Sequence, residues 1–180
     1  GSNSSSCRKN FVIFITDGED TMACDNDGNS DHKNRKSVVA RAKALADAGY
    51  KVFVVGFGSA MSDTLERTLN WAAYYGGTDN PNVANSGSTS AISVVADPCE
   101  SSTSNDPGAS ALSGYAFLAA DADQLSDALQ QAMNIIREAN YSFSTSSVSS
   151  TRISTENYLY EASFKPLNNE PFWEGHLKKY

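Results

Sequence analysis

The stretch Phe11-Val-Ile-Phe-Ile-Thr-Asp-Gly18 decides the fold. Five consecutive large apolar residues do not alternate with polar ones, so a strand built from them has no wet face. It reads as a central strand of a parallel sheet covered by helices on both sides. The run ends abruptly in Thr16, Asp17 and Gly18. In open parallel sheets, ligands sit in the crevice beyond the carboxyl ends of the strands, which makes this the functional end and Asp17 its first candidate residue. Gly18 lets the chain turn away at once and leaves the carboxylate at the lip. The plainer alternative is that Asp17 only begins a turn, because Asp-Gly is a common turn pair.

Working outward, Lys51-Val-Phe-Val-Val-Gly-Phe-Gly58 is a second apolar run closed by glycines, and Tyr115-Ala-Phe-Leu-Ala-Ala120 is a shorter one closed by Asp121. Helical spacing lies between and after them. From Lys33 to Ala48 the apolar face is Val38, Ala42 and Leu45, with Val39 and Ala46 beside it and Gly49 as C-cap. A shorter helix opens at Ser62 and runs through Leu65, Leu69 and Trp71 to Gly76-Gly77, and a third spans Asp123 to Glu138 with Leu125, Ala128, Leu129, Ala132, Met133 and Ile136 on one face. The alternation predicts an α/β fold, a Rossmann-like parallel sheet with flanking helices and right-handed crossovers. Gly56-Phe-Gly58 does not extend to a dinucleotide fingerprint, since Met61 stands where the third glycine belongs.

Residues 78–114 form a long insert rich in Asn, Ser, Gly and Pro, interrupted by Ala91-Ile-Ser-Val-Val-Ala96, which suits an edge strand or a flap. After Tyr141 the character changes. Ser142 to Thr151 is a Ser/Thr linker, and Tyr158–Phe164 and Phe172–Tyr180 read as the strands of a C-terminal β-hairpin around Asn168-Asn-Glu-Pro171. The predicted organisation is therefore a sheet domain over 1–141 followed by linker and hairpin over 142–180. A lone hairpin is marginal in water, so its aromatic residues need a partner surface.

Beyond the first strand lies the densest carboxylate cluster, Glu19-Asp-Thr-Met-Ala-Cys-Asp-Asn-Asp-Gly-Asn-Ser-Asp31. Asp25, Asp27, Asn29 and Asp31 alternate oxygen-bearing side chains around the bend at Gly28, a pattern suited to a hard cation wanting several oxygens. It departs from an EF-hand loop, because Ala23 stands where the first acid belongs and no glutamate closes the loop. A solvated turn that feeds the helix, with Ser30 or Asp31 as its cap, is the competing reading. Asp17, Asp25, Asp27, Asn29 and Asp31 are the candidate metal ligands, for magnesium or calcium.

Composition bounds the rest. The 180 residues are 40% hydrophobic and carry a formal net charge of -7. That balance argues against nucleic acid as a partner, because phosphate binding needs clustered Lys and Arg. No apolar stretch approaches the length of a membrane span. The three cysteines, Cys7, Cys24 and Cys99, are too widely spaced for a zinc pair, and neither His32 nor His176 stands at ligand spacing to them. Cys7 and Cys24 flank the first strand and either can bridge locally or reach Cys99, which an exported protein would favour. No nucleophile elbow, zinc-protease helix or phosphate loop is present in the sequence, so an enzyme is not expected.

Taken in order, Phe11 to Gly18, Val52 to Gly58, the helix end Leu69-Asn-Trp-Ala-Ala-Tyr-Tyr-Gly-Gly-Thr78, and Tyr115-Ala-Phe-Leu118 followed by Leu125 to Ile136 resemble the second half of a von Willebrand factor A domain. Cys7-Arg-Lys-Asn10 leading into the strand and its Thr-Asp-Gly is similar to PilY-type proteins at the tips of bacterial type IV pili, and the chain after the last helix resembles their junction into a β-propeller. The strand ending in Asp-x-Ser-x-Ser and the further Thr of such a domain have no counterpart here, and Asn3-Ser-Ser-Ser6 does not supply them. The resemblance implies a partial A domain whose N-terminal half is missing, with one bare flank beside Phe11 to Ile15 that the missing half or another chain would cover. It also implies a divalent cation at the carboxyl end of the sheet, of whose ligands only Asp17 is matched.

The function so implied is non-enzymatic: a type IV pilus-associated adhesion or biogenesis module, exported to the cell surface, pilus tip or outer membrane. Its expected partners are pilus components or a host or abiotic surface, without membrane insertion. The alternatives are an intracellular A-domain scaffold that partners an ATPase, and a hydrolase on a Rossmann-like sheet.

Overall fold

The computed structural model of the chain describes residues 9–24, 31–141, 160–166 and 173–179. The chain falls into two compact units, Gly1–Ser144 and Thr145–Tyr180. In the first unit, β1 (Asn10–Thr16), β2 (Tyr50–Phe57) and β5 (Phe117–Ala119) form a three-stranded sheet in the order β1-β2-β5. Both pairings are parallel, with Val12 beside Val52 and Val55 beside Phe117. Helices α1 (Asp31–Asp47), α2 (Asp63–Tyr75) and α3 (Ala122–Tyr141) flank this sheet. The predicted parallel α/β architecture is thus present.

A parallel strand needs cover on both faces, and β2 has it. Val52 and Val54 pack with Val39 and Ala42 of α1 and Leu65, Leu69 and Ala72 of α2. On the opposite face Phe53 and Val55 meet Phe117 of β5 and Ala128 and Ala132 of α3. Where the apolar run Phe11–Ile15 predicts a central strand, β1 is instead at the edge: among the described residues its neighbour in the sheet is β2. The consequence is measurable in exposure. Val55 is 0% exposed, whereas Phe14 and Ile15, which point to opposite faces of β1, are 39% and 49% exposed.

Local chemistry fixes the helix starts. The Ser62 hydroxyl accepts the Leu65 amide N–H, and Asp63 and Glu66 place negative charge in the first turn of α2. At α3, the Asp121 carboxylate accepts the Gln124 N–H while the Gln124 side chain accepts the Ala120 N–H, a reciprocal cap. Met133, expected on the buried face of α3, is 48% exposed.

The insert is ordered around a few strong anchors. Ala91–Ala96 forms no strand; it is a flap that puts buried Ile92 against the α1–α2 core and lets its carbonyl accept the Tyr75 hydroxyl at 2.9 Å. Trp71, fully buried, stacks on Tyr75 and donates its indole N–H to the Ser110 carbonyl at 2.9 Å. The two-residue strands β3 (Ser86–Gly87) and β4 (Leu112–Ser113) pair antiparallel and close the insert on itself. Asn70 then accepts the amides of Tyr115 and Ala116 through its side-chain oxygen, aiming the chain into β5.

In the second unit, β6 (Tyr160–Pro166) and β7 (Trp173–Lys179) pair antiparallel, with Ser163 beside His176, as the hairpin reading predicts.

Gly114 provides a check on the insert. Its φ is +90°, and a Cβ there would lie 2.6 Å from the Asn85 side-chain oxygen and 2.7 Å from the Ala84 carbonyl oxygen. Gly114→Ala is expected to cost about 1–3 kcal/mol in chemical denaturation, from backbone strain and steric clash together. Gly18→Ala, which meets nothing within 4 Å, is expected to stay within about 0.5 kcal/mol of the parent.

Candidate functional site at the carboxyl end of the sheet

The end of β1 delivers Thr16, Asp17 and Gly18 to the surface. The Thr16 hydroxyl donates to the Gly18 carbonyl at 2.8 Å and accepts the Gly18 N–H at 3.3 Å, which folds the chain back and leaves the Asp17 carboxylate exposed. Glu19 bridges to the next loop: one oxygen accepts the hydroxyls of Ser62 and Thr64 at 3.0 and 2.9 Å, and the other lies 3.5 Å from Arg35. Asp20 accepts the amides of Met22 and Ala23, closing a tight turn before Cys24.

The insert reaches the same end. It leaves the last turn of α2 near the start of β2, where the Thr78 hydroxyl donates to the Val52 carbonyl, and travels along the helices to the first turns of α1. There Cys24 and Cys99 form a disulfide across 75 residues of sequence, so the pairing that the sequence left open among the cysteines is Cys24 with Cys99, and Cys7 lies outside the described residues. Asn34 holds the Cys24 N–H with its side-chain oxygen. Lys36 is almost fully buried, and its ammonium donates to the carbonyls of Glu100 and Ser102 at 3.2 and 2.8 Å. Arg35 makes two parallel bonds to Asp106, at 2.9 and 2.8 Å. Such forked pairing fixes orientation as well as distance.

Asp106 also accepts the Gly108 N–H and so caps the short 3-10 turn Pro107–Ala109. Burial by itself pushes its carboxyl upward, but the hydrogen bonds from Arg35 and Gly108, with the charges of Arg35 and His32, bring it below the usual carboxylate value. In return, the hydrogen bond to Asp106 raises Arg35 against the opposing effect of burial. His32, next to this pair, has Nε2 3.3 Å from the Ser101 carbonyl and so belongs to the same loop seat.

Of the predicted metal ligands, Asp17 stands exposed at the lip and Asp31 is the exposed first residue of α1, while Asp25, Asp27 and Asn29 lie outside the described residues. Among the described residues no group of three or more His, Cys, Asp or Glu side chains gathers to hold a metal ion. Asp17 alone does not make a site, because one carboxylate does not replace the hydration of a hard cation. What the sequence reading missed is the set Glu19, Arg35, Lys36 and Asp106. Glu19 carried a signal only as the first residue of the acidic run, and Asp106 only as a capping residue directly before Pro107.

Beside β1 a groove of about 420 Å³ opens beneath α1 and α2. Its floor and walls include Val12, Phe14, Val38, Ala42 and Leu45, with Arg35 and Glu19 at the carboxyl end. The predicted apolar stripe of α1 thus borders open space, while Lys36 and Val39, on another side of the helix, are buried by the insert.

No protein-family model, curated protein or solved structure matches the chain.

Two measurements check this anatomy. A carboxylate held below its unfolded pKa stabilises the fold above that unfolded value, and the stabilisation is lost as pH falls through the folded value. Proteolysis of the 97–110 segment is therefore expected to accelerate as pH drops below about 3.9, with Asp106→Asn already loosened at neutral pH and less sensitive to acid. The double replacement Cys24→Ala with Cys99→Ala is expected to lower stability by about 2–4 kcal/mol in urea titration.

Proposed function

We propose that the chain is a non-enzymatic recognition module of the adhesion class, built on a partial von Willebrand A-type sheet and associated with type IV pili. The observation that carries the reading is the convergence, at the carboxyl end of a parallel sheet, of the Asp17 lip and an insert bonded there by Cys24–Cys99, Arg35–Asp106 and Lys36. Loops held rigidly over the ligand end of an α/β sheet give a recognition surface whose ordering entropy is already spent before a partner arrives. The order of motifs from Phe11 to Ile136 supports the A-domain assignment, and the Cys24–Cys99 bond supports export to an oxidising compartment over the intracellular scaffold.

A divalent cation belongs to this proposal, with Asp17 as the one ligand of the A-domain set that this sequence matches. Pilus components, or a host or abiotic surface, are the proposed partners.

Beads coated with the chain should attach to such surfaces more than beads coated with an unrelated protein of equal charge, and attachment should fall when Cys24 and Cys99 are replaced together. Indistinguishable attachment would remove the adhesion reading, and Asp17-dependent turnover of a phosphate or ester would install the hydrolase in its stead. By calorimetry the chain alone should bind magnesium no more tightly than about millimolar. Tight binding that vanishes in Asp17→Ala would mean that the chain carries a complete ligand set.

A further inference from the structure

Among the described residues β5 is the edge of the sheet opposite β1, with β1 and β2 between it and the flank on which the other half of an A domain is proposed to sit. The Gly58 N–H donates to the Ala119 carbonyl at 2.9 Å, and this bond fixes the phase of the strand. In a parallel pair the residues that bond to the neighbour alternate, so Phe117 and Ala119 turn their backbone groups toward β2, while Ala116, Leu118 and Ala120 turn theirs outward. The chain's own side chains occupy this edge on either side of Leu118. Ala116 donates its N–H to the Asn70 side-chain oxygen at 3.0 Å and accepts from the Asn80 side-chain amide at 3.4 Å, and Ala120 donates its N–H to Gln124 at 2.9 Å. Leu118 has no such cap: among the described residues no side chain meets its outward N–H and C=O. The edge is thus blunted against a long added strand and left open at a single residue.

A cleft of about 380 Å³ lies beside that residue, between the first turns of α2 and the paired strands β3 and β4. Leu118 and Leu112 give it an apolar lining, with Val83, 50% exposed, beside them. From α2 come Asp63, Glu66 and Arg67. Arg67 is already engaged, donating to the Gly108 carbonyl at 3.3 Å and lying 3.5 Å from Asp63. Glu66 is not. It is half-buried, and among the described residues no donor or cation reaches its carboxylate. A carboxylate drawn partly out of water without a partner is unfavourable, so this wall is short of one positive charge.

An occupant has to answer the Leu118 backbone, the apolar lining and Glu66 together. One extended peptide residue with a long cationic side chain does so. Its N–H and C=O pair with those of Leu118, and because directly opposed residues share a face, its side chain lies on the side of the sheet where Leu118 lines the cleft. The aliphatic stem of a lysine or arginine then covers apolar surface while its head stays polar. A bare metal ion answers Glu66 alone.

We propose that the cleft between α2 and the β5 edge is a peptide-binding site, in which one extended residue of a partner protein bridges to Leu118 through its backbone and lays a lysine or arginine side chain across the cleft to Glu66. The site goes beyond the adhesion reading and does not depend on it.

The test uses the full chain, isotopically labelled, and N-acetyl-lysine-N-methylamide, which carries the backbone and side chain of one peptide residue. Its norleucine counterpart has the same stem without the charge. In NMR titrations the lysine probe should shift the Leu118 amide and bind, at about millimolar Kd, at least about fivefold more tightly than the norleucine probe. Glu66→Gln should bring the two probes to within about twofold of each other. Equal affinities in the parent chain, or shifts that spare Leu118, overturn the proposal. So does a Leu118 amide protected from hydrogen exchange in the free chain, the result if another segment of the chain or a second copy occupies the edge. The comparison of the two probes needs no variant, so it decides the matter even where Glu66→Gln fails to fold.

Discussion

Parallel pairing of β1, β2 and β5 imposes one demand on the whole unit, which is apolar cover on two faces. The demand is met unequally. Around Val52 to Val55 it is met by all three helices, and several contacts serve it: Ser62 and Asp121 start the helices at the right places, and Asn70 steers the chain into β5. At β1 the demand is only half met. Phe14 and Ile15, 39% and 49% exposed, are by contrast a thermodynamic liability, since each forgoes a part of the about 1.5–3 kcal/mol that full burial of such a side chain contributes.

What was legible in the sequence follows from which forces are local. Unbroken apolar runs at Phe11–Ile15 and Val52–Val55 announced strands without a wet face, and helical spacing from Lys33, Ser62 and Asp123 located the three helices within a few residues. The hairpin strands were visible from aromatic alternation and an Asn-Asn-Glu-Pro turn. The insert was not legible. Its anchors join residues far apart in sequence, as in Arg35 with Asp106 or Trp71 with Ser110, and no periodicity encodes such pairs. Lys36 shows the difficulty most clearly, because a lysine in the first turns of a polar helix face reads as solvated, yet here its ammonium replaces water with two carbonyls and the loop closes over it.

The candidate site was legible in the same uneven way. Asp17 was singled out because an unbroken apolar run ends there in Thr-Asp-Gly, and its carboxylate does stand exposed at the end of β1. The acidic run from Asp25 to Asp31 drew attention by density of charge, but the carboxylates that tie the loops together, Glu19 and Asp106, are each held by partners from a distant element. Density along the chain and convergence in space are different properties, and recognition surfaces depend on the second.

The placement of the insert between α2 and β5 also bears on how this chain reaches its native state. β5 can join β2 only after a long, largely irregular segment has been threaded along α1 and α2, so the sheet is closed by contacts between residues remote in sequence. Topologies of that kind fold slowly, because loop entropy is lost before the pairing repays it. Until β5 and α3 arrive, the side of β1 that carries Phe11 and Ile13 stays in water, at a stage when neighbouring chains are doing the same. Dilution, or a chaperone that shields one short apolar strand, would then decide the yield of folded protein more than the stability of the finished sheet.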